Sequence, residues 1–265
     1  MGILEEIVQE KRRELAGRKA ELPLWELQRR CNSFVAPRDF EGALRPRPGR
    51  RVALIAELKK ASPSRGILAE HFDPVALART CAASGAAAFS VLTDEKFFQG
   101  RLDTLGEVRG VVDLPLLRKD FILDEYQLWE SRAFGADAVL LIGAALDPSR
   151  LGDLLHAAKG LGLATLVEVH TREELDLALS LGAPVIGINN RNLQTFETRL
   201  ETSLALLPPI PPGPVVVSES GFFTRADVER VVAAGAHAVL VGEALVRAPD
   251  IAAKIRELAL LETEG

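Results

Sequence analysis

Four times along this chain a Gly-Ala pair sits just past an apolar helical run and just before an apolar, β-rich one: Gly85-Ala86, Gly135-Ala136, Gly182-Ala183 and Gly235-Ala236. A helix ends readily on a residue that accepts left-handed geometry, and glycine does so without a Cβ clash. Each pair therefore marks a helix end and predicts a strand start, near Ala88, Ala138, Val185 and Ala238. The spacing of roughly fifty residues fits two βα units. One further strand candidate lies in each interval, so the βα pattern repeats about eight times from Arg51 onward. Eight such units predict an α/β fold, a closed parallel (β/α)8 or TIM barrel. Active sites of such barrels lie at the carboxyl ends of the strands, and that rim is where chemistry is sought.

The chain has 265 residues, 48% of them apolar, enough to bury one large core, so residues 1–265 are read as a single domain. Within it, residues 1–50 form an N-terminal helical extension and connector, and residues 51–265 form the barrel. A net charge of -5 argues against a nucleic-acid surface and leaves any anionic small molecule to local Lys, Arg or backbone N–H groups. Cys31 and Cys81 lack ligand spacing and are expected as free thiols. His71, His156, His170 and His237 are scattered, so no metal is expected. The stretch from Met1 to Arg18 is amphipathic, and Glu5, Glu6 and Glu10 oppose a secretory or transit reading. With no membrane span, the expectation is a cytoplasmic enzyme of a small-molecule substrate; a monomer is the working assumption for its oligomeric state.

Residues before the barrel break the βα rhythm. Ile3, Leu4, Ile7, Val8 and Leu15 make a helical stripe, and Leu24 to Arg30 a second short helix behind a first-turn Pro23. Cys31 to Arg50, with Pro37, Pro46, Pro48 and Gly49, reads as an irregular connector. The extension is either a structural cap on one end of the barrel or a flap over its mouth.

Strands are predicted at Val52 to Leu58, Ala88 to Leu92, Leu114 to Arg118, Ala138 to Ile142, Ala164 to Val169, Val185 to Asn189, Val215 to Glu219 and Ala238 to Val241. Most are apolar throughout, as when both faces are buried. Asp73-Pro74 and Asp147-Pro148 pair an N-cap with a first-turn proline, and Thr171-x-x-Glu174 reads as a capping box.

Polar residues gather where these strands end. Period-two geometry puts Glu57 and Lys59 on one face, pointing into the mouth. The third strand runs into Arg118-Lys119-Asp120, the fifth into Glu168, the sixth into Asn189-Asn190-Arg191 and the seventh into Ser218-Glu219-Ser220-Gly221. Any one of these is an ordinary boundary residue on its own; the alternative for Lys119 is a surface pair with Asp120, and Lys60 is expected to pair in that way. Jointly they favour chemistry, because half-buried charges are costly unless paired or used. Glu57, Lys59, Lys119 and Glu168 are the catalytic candidates. Ser220-Gly221 and Gly242-Glu243 follow the seventh and eighth strands, where barrels often hold phosphate on backbone N–H groups, and Ser62 to Gly66 adds hydroxyls near that rim. Glu243 repels a phosphate unless its side chain turns away.

These segments resemble the indole-3-glycerol-phosphate synthase family over nearly the whole chain. The resemblance is carried by Ala56-Glu57-Leu58-Lys59-Lys60-Ala61-Ser62-Pro63-Ser64, by Ser90 through Gly100, and by Leu117-Arg118-Lys119-Asp120-Phe121-Ile122. Leu166-Val167-Glu168-Val169, Gly187 through Leu193 and Ser218-Glu219-Ser220-Gly221 extend it. The resemblance implies a cofactor-free ring closure of 1-(2-carboxyphenylamino)-1-deoxyribulose 5-phosphate, releasing carbon dioxide and water. It implies Lys119 as the acid on the ketone, Lys59 near the anthranilate carboxylate, Glu168 as base and Glu57 as orienter of Lys59 or partner in proton transfer. Asn189 and Ser220 would bond the reacting sugar, with Glu219 beside them. Phe98, Phe121 and Leu140 would wall the anthranilate ring, and Arg191 would organise the rim. Ser62 with the backbones of Gly221, Gly242 and Glu243 would receive phosphate. Competing readings are a Schiff-base aldolase, a sugar-phosphate isomerase and a non-catalytic phosphate-binding barrel.

Overall fold

Eight parallel strands pair in chain order and close on themselves in the computed structural model, which describes residues 2–31 and 36–261. They are β1 (Ala53–Leu58), β2 (Ala88–Leu92), β3 (Leu116–Lys119), β4 (Ala138–Ile142), β5 (Ala164–Val169), β6 (Val185–Asn189), β7 (Val215–Glu219) and β8 (Ala238–Val241). β1 pairs with both β2 and β8, which shuts the barrel. Each strand is followed by a helix. Gly85, Gly135, Gly182 and Gly235 all adopt positive φ, the left-handed geometry expected of a residue that ends a helix before a strand.

Alternation along the strands splits the core in two. Ile55, Leu117, Leu140, Leu166, Val217 and Leu240 pack together inside the barrel, whereas Leu54, Val91, Val139, Val167, Ile186 and Val239 pack outward against the helices. A slip of one residue in any strand would exchange the two sets, so burial on both faces fixes the register.

Helix starts follow their caps. Asp73 accepts from Val75 N and Ala76 N at 3.0 Å, and Asp147 from Arg150 N at 2.9 Å. Three expectations need correction. The predicted third strand begins two residues late, at Leu116, because Pro115 has no N–H to give a ladder. Thr171 caps Glu174 N at 3.3 Å, but the Glu174 carboxylate turns to His170 N at 2.7 Å, so the reciprocal half of the capping box is missing. The connector is not irregular throughout: Asp39 caps a short helix, Phe40–Leu44, through Gly42 N at 2.8 Å. Residues 32–35 of that connector lie outside the described residues, as do Met1 and residues 262–265.

The extension works at both ends of the barrel. It comprises α1 (Ile3–Glu21), α2 (Leu24–Cys31) and α3 (Phe40–Leu44). Phe40 and Leu44 of α3 are buried with Ala53, Val185, Val215 and Ala238, closing the amino-terminal end. Ile3, Leu4 and Ile7 of α1 instead join Phe121, Leu140 and Ile142 at the opposite end. The cap and the flap are thus two parts of one segment.

A buried ionic chain secures α1. Lys11, 3% exposed, reaches Asp94 at 2.8 Å, Asp120 at 3.1 Å and Glu14 at 2.7 Å. Asp120 also binds Arg118 at 3.0 Å and accepts from Thr93 at 2.6 Å; Arg118 binds Glu130 at 2.7 Å, and Glu130 binds Arg18 of α1. Burial pushes Asp120 toward its neutral form, but Lys11 and Arg118 outweigh this and hold its carboxyl below its ordinary value. Among the described residues no helix is long and apolar enough to cross a membrane. Replacing Phe40 with Ala is expected to lower stability by about 3–5 kcal/mol in urea titration, while kcat stays within about twofold because the site lies at the other end.

Candidate active site

The inward positions that are apolar in the middle of the barrel become ionic at its carboxyl end. Glu57 and, one residue past β1, Lys59 keep the alternation that points Ile55 inward; Lys119 follows Leu117, Glu168 follows Leu166, and Glu219 follows Val217 in the same way. The structure brings these charges together at one mouth. Lys119 Nζ donates to Glu168 Oε2 at 2.7 Å and to Glu219 Oε2 at 2.6 Å. Lys59 Nζ lies 2.5 Å from Glu57 Oε2. Lys119 does not pair with Asp120, whose partners are Lys11, Arg118 and Thr93, because adjacent strand residues face opposite sides. Lys60 makes no ion pair among the described residues, contrary to expectation.

Charge sets the protonation of the group. Burial disfavours the Lys119 ammonium, but Glu168, Glu219 and Glu57 outweigh it and raise its pKa. The two carboxylates separate. Burial raises both, yet Glu168 also has His170 and Asn189 beside Lys119 and is held below its ordinary value. Glu219 feels Lys119 against the like charges of Glu168 and Glu57, its Oε1 has no hydrogen-bond partner among the described residues, and its pKa is raised. They titrate as a pair, with Glu168 keeping the charge and Glu219 the readier to take a proton.

Every residue singled out from the sequence as catalytic or substrate-binding lines this one hollow. The Phe98 and Phe121 rings stand 6.2 Å apart, and Leu140 completes that apolar side. Across from it, Ser220 Oγ donates to Asn189 Oδ1 at 3.0 Å. Ser220 and Gly221 both have positive φ, so the loop after β7 makes a sharp left-handed turn; a Cβ on Gly221 would press on Thr198 at 3.0 Å. Asn190, on the outer face, holds that turn by donating to the Ser220 carbonyl at 3.0 Å.

Arg191 ties three loops of the rim. It donates to Ser64 Oγ at 2.7 Å and Thr198 Oγ1 at 3.3 Å and lies 3.6 Å from Glu243. Arg65 at 3.6 Å and Arg247 at 3.5 Å also face the Glu243 carboxylate, so guanidinium groups offset the repulsion it would offer an anion. Ser62 sits in a two-stranded hairpin, Ala61–Ser62 with Gly66–Ile67, beside that rim.

Further contributors were not among the residues singled out from the sequence as catalytic or substrate-binding. Ile3, Leu4 and Ile7 form part of the wall, although they precede the barrel. Gly187, in mid-strand, leaves the space occupied by Glu219: a Cβ there would overlap Glu219 Oε1 and lie 2.6 Å from Leu166. A lone glycine in an apolar strand was the available signal. Gly242 has the same use, since a Cβ would overlap Glu57 Oε2, so its value extends beyond the backbone approach expected of it. His170, one residue past β5, brings Nε2 to 3.5 Å from Glu168 Oε1.

The indole-3-glycerol phosphate synthase family model matches residues 4–258. The chain belongs to that family. It is 53% identical to the indole-3-glycerol phosphate synthase of Roseiflexus sp. strain RS-1, covering 97% of each chain. It is also 53% identical to that of Burkholderia ambifaria, covering 93% of this chain and 94% of the relative. As a member of the family it is a carboxy-lyase of tryptophan biosynthesis. Solved structures of similar shape include 3-hexulose-6-phosphate synthase from Salmonella typhimurium, 15% identical with a TM-score of 0.64 over 79% of this chain and 98% of that one. Orotidine 5'-phosphate decarboxylase from Pyrococcus horikoshii is 13% identical with a TM-score of 0.59, covering 78% and 97%. These two likenesses show the barrel alone. In this indole-3-glycerol phosphate synthase family member, Gly187→Ala is expected to displace the Glu219 carboxylate and lower kcat about a hundredfold in a steady-state assay, with a near-native circular dichroism spectrum.

Proposed function

We propose that the Lys119 cluster closes the indole ring of 1-(2-carboxyphenylamino)-1-deoxyribulose 5-phosphate. The reading rests on one observation: an ammonium held between two buried carboxylates, 2.7 and 2.6 Å away, at the floor of a hollow with an aromatic wall. The ketone needs an acid as its oxygen becomes a hydroxyl, and Lys119 supplies the proton. Lys59, fixed by Glu57, faces the anthranilate carboxylate and keeps the substrate folded so that the ring carbon reaches the carbonyl. Phe98, Phe121 and Leu140 hold the ring. The attacking ring carbon, now bonded to the former ketone carbon, then sheds its carboxylate as carbon dioxide, and the electron pair left behind returns aromaticity to the benzene ring.

Dehydration completes the product. The new hydroxyl leaves as water with a second proton, and Glu168, kept ionised by Lys119 and His170, takes a proton from the neighbouring methylene. Glu219, Asn189 and Ser220 bond the sugar side. Ser62 and the backbone N–H groups of Gly221, Gly242 and Glu243 receive the phosphate, with Arg191 keeping their loops together. A lysine poised to form an imine needs a free amine, and an ammonium locked between carboxylates is the opposite arrangement.

Ultraviolet detection of indole-3-glycerol phosphate from the purified chain and the ribulose substrate tests the reaction, and absence of product overturns it. Lys119→Ala is expected to lower kcat by about a hundredfold or more while binding of a product analogue, followed by calorimetry, is largely spared. Glu168→Gln is expected to slow the dehydration half, so that an intermediate already free of carbon dioxide accumulates in rapid-quench experiments.

A further inference from the structure

The reaction just proposed does not balance in protons inside the site. Oxygen receives two, one to make the hydroxyl and one to release it as water, and the methylene returns only one. Decarboxylation leaves an electron pair and moves no proton. With the substrate entering as a carboxylate, each turnover therefore draws one proton from solvent.

Glu168 has a group on its far side suited to deliver it. Lys119 occupies Oε2, while Oε1 faces His170 Nε2 at 3.5 Å. Nε2 is buried, has no hydrogen-bond partner among the described residues, and faces that carboxylate just beyond hydrogen-bond contact. The other edge of the ring is fixed: Nδ1 lies 3.3 Å from Glu174 Oε2, and the same oxygen accepts from His170 N at 2.7 Å. This is the bond that displaced the capping box of the helix Arg172–Ser180. Glu174 is 20% exposed, Glu168 only 4%, so the line Lys119, Glu168, His170, Glu174 runs from the floor of the hollow toward solvent.

We propose that His170 is the proton entry of this enzyme, a positioning and relay residue that acts through Glu168 and does not touch substrate. The imidazolium passes its Nε2 proton to Glu168 Oε1, breaking one N–H bond and forming one O–H bond, and Glu168 hands a proton to Lys119 after that lysine has donated. To reset, the side chain swings out of these contacts, its bare Nε2 takes up a solvent proton on the more exposed Glu174 side, and the recharged imidazolium returns to Glu168. The charged groups facing the ring are Glu168 on its own strand, Glu174 on the following helix and Glu219 on β7, with Lys119 beyond Glu168. Burial works against the imidazolium, but these carboxylates outweigh it and hold the pKa above its ordinary value. The relay therefore runs below that raised pKa and fails as pH climbs through it.

The inference rests on Glu168 exchanging protons during turnover, and the experiment separates the two. His170→Gln, His170→Asn and His170→Ala are compared with Glu168→Gln over a range of pH. The expected result is a fall in kcat of about tenfold for the His170 variants, KM within about twofold, loss of the wild-type alkaline limb, and partial return of kcat when imidazole is added to His170→Ala. Unchanged kcat and pH profile, or a loss that imidazole does not repair and that tracks a lowered melting temperature, overturns the relay while an inactive Glu168→Gln leaves the role of Glu168 standing. Normal turnover by Glu168→Gln overturns both.

Discussion

An ammonium withdrawn from water has to be surrounded by carboxylates, and the interior end of this barrel is organised around meeting that requirement for Lys119. Three strands supply Lys119, Glu168 and Glu219, each by continuing an alternation that is apolar lower down. Two like charges on one cation cannot both be fully satisfied, which is why Glu168 and Glu219 diverge in proton affinity instead of sharing one. The same demand reaches into the backbone. Gly187 is small because Glu219 fills the place of its side chain, and Gly242 because Glu57 does. Charge, strand register and glycine placement are thus one arrangement.

Behind the catalytic face a second ionic set holds the roof. Arg118 and Asp120 flank Lys119 in sequence but point the other way, into the layer between strands and helices, where they meet Glu130, Thr93 and Lys11. Removing one partner of such a buried set generally costs about 3–5 kcal/mol, because the remaining charge is left uncompensated. Lys11 also grips Asp94, whose other oxygen caps Phe97 N at 2.8 Å and Phe98 N at 3.3 Å. One lysine on α1 therefore fixes both the helix over the mouth and the loop that carries an aromatic wall.

Much of this was legible because it depends on local rules. Gly85 and its three counterparts had to be left-handed, the Asp-Pro pairs had to start helices, and Glu57 and Lys59 had to share a face. What escaped depends on partners distant in sequence. Nothing near Lys119 says that its counter-ions come from β5 and β7 and not from adjacent Asp120. Pro115 delayed a strand through a missing N–H that its apolar context concealed. Phe40 and Leu44 are spaced as a helix face, yet the surrounding prolines and glycine masked them, and Glu174 left its capping role because His170 offered a nearer donor. Gly187 shows its purpose only when the strand beside it is in place.

The roof of the hollow comes from outside the eightfold repeat. Ile3, Leu4 and Ile7 belong to a helix that shares no strand with the proton-handling residues. The width of the hollow on that side is consequently encoded in a stretch of chain separate from the one that encodes its ionic floor. Apolar exchange at those three N-terminal positions can reshape the roof of the hollow with the ionic floor and its register undisturbed.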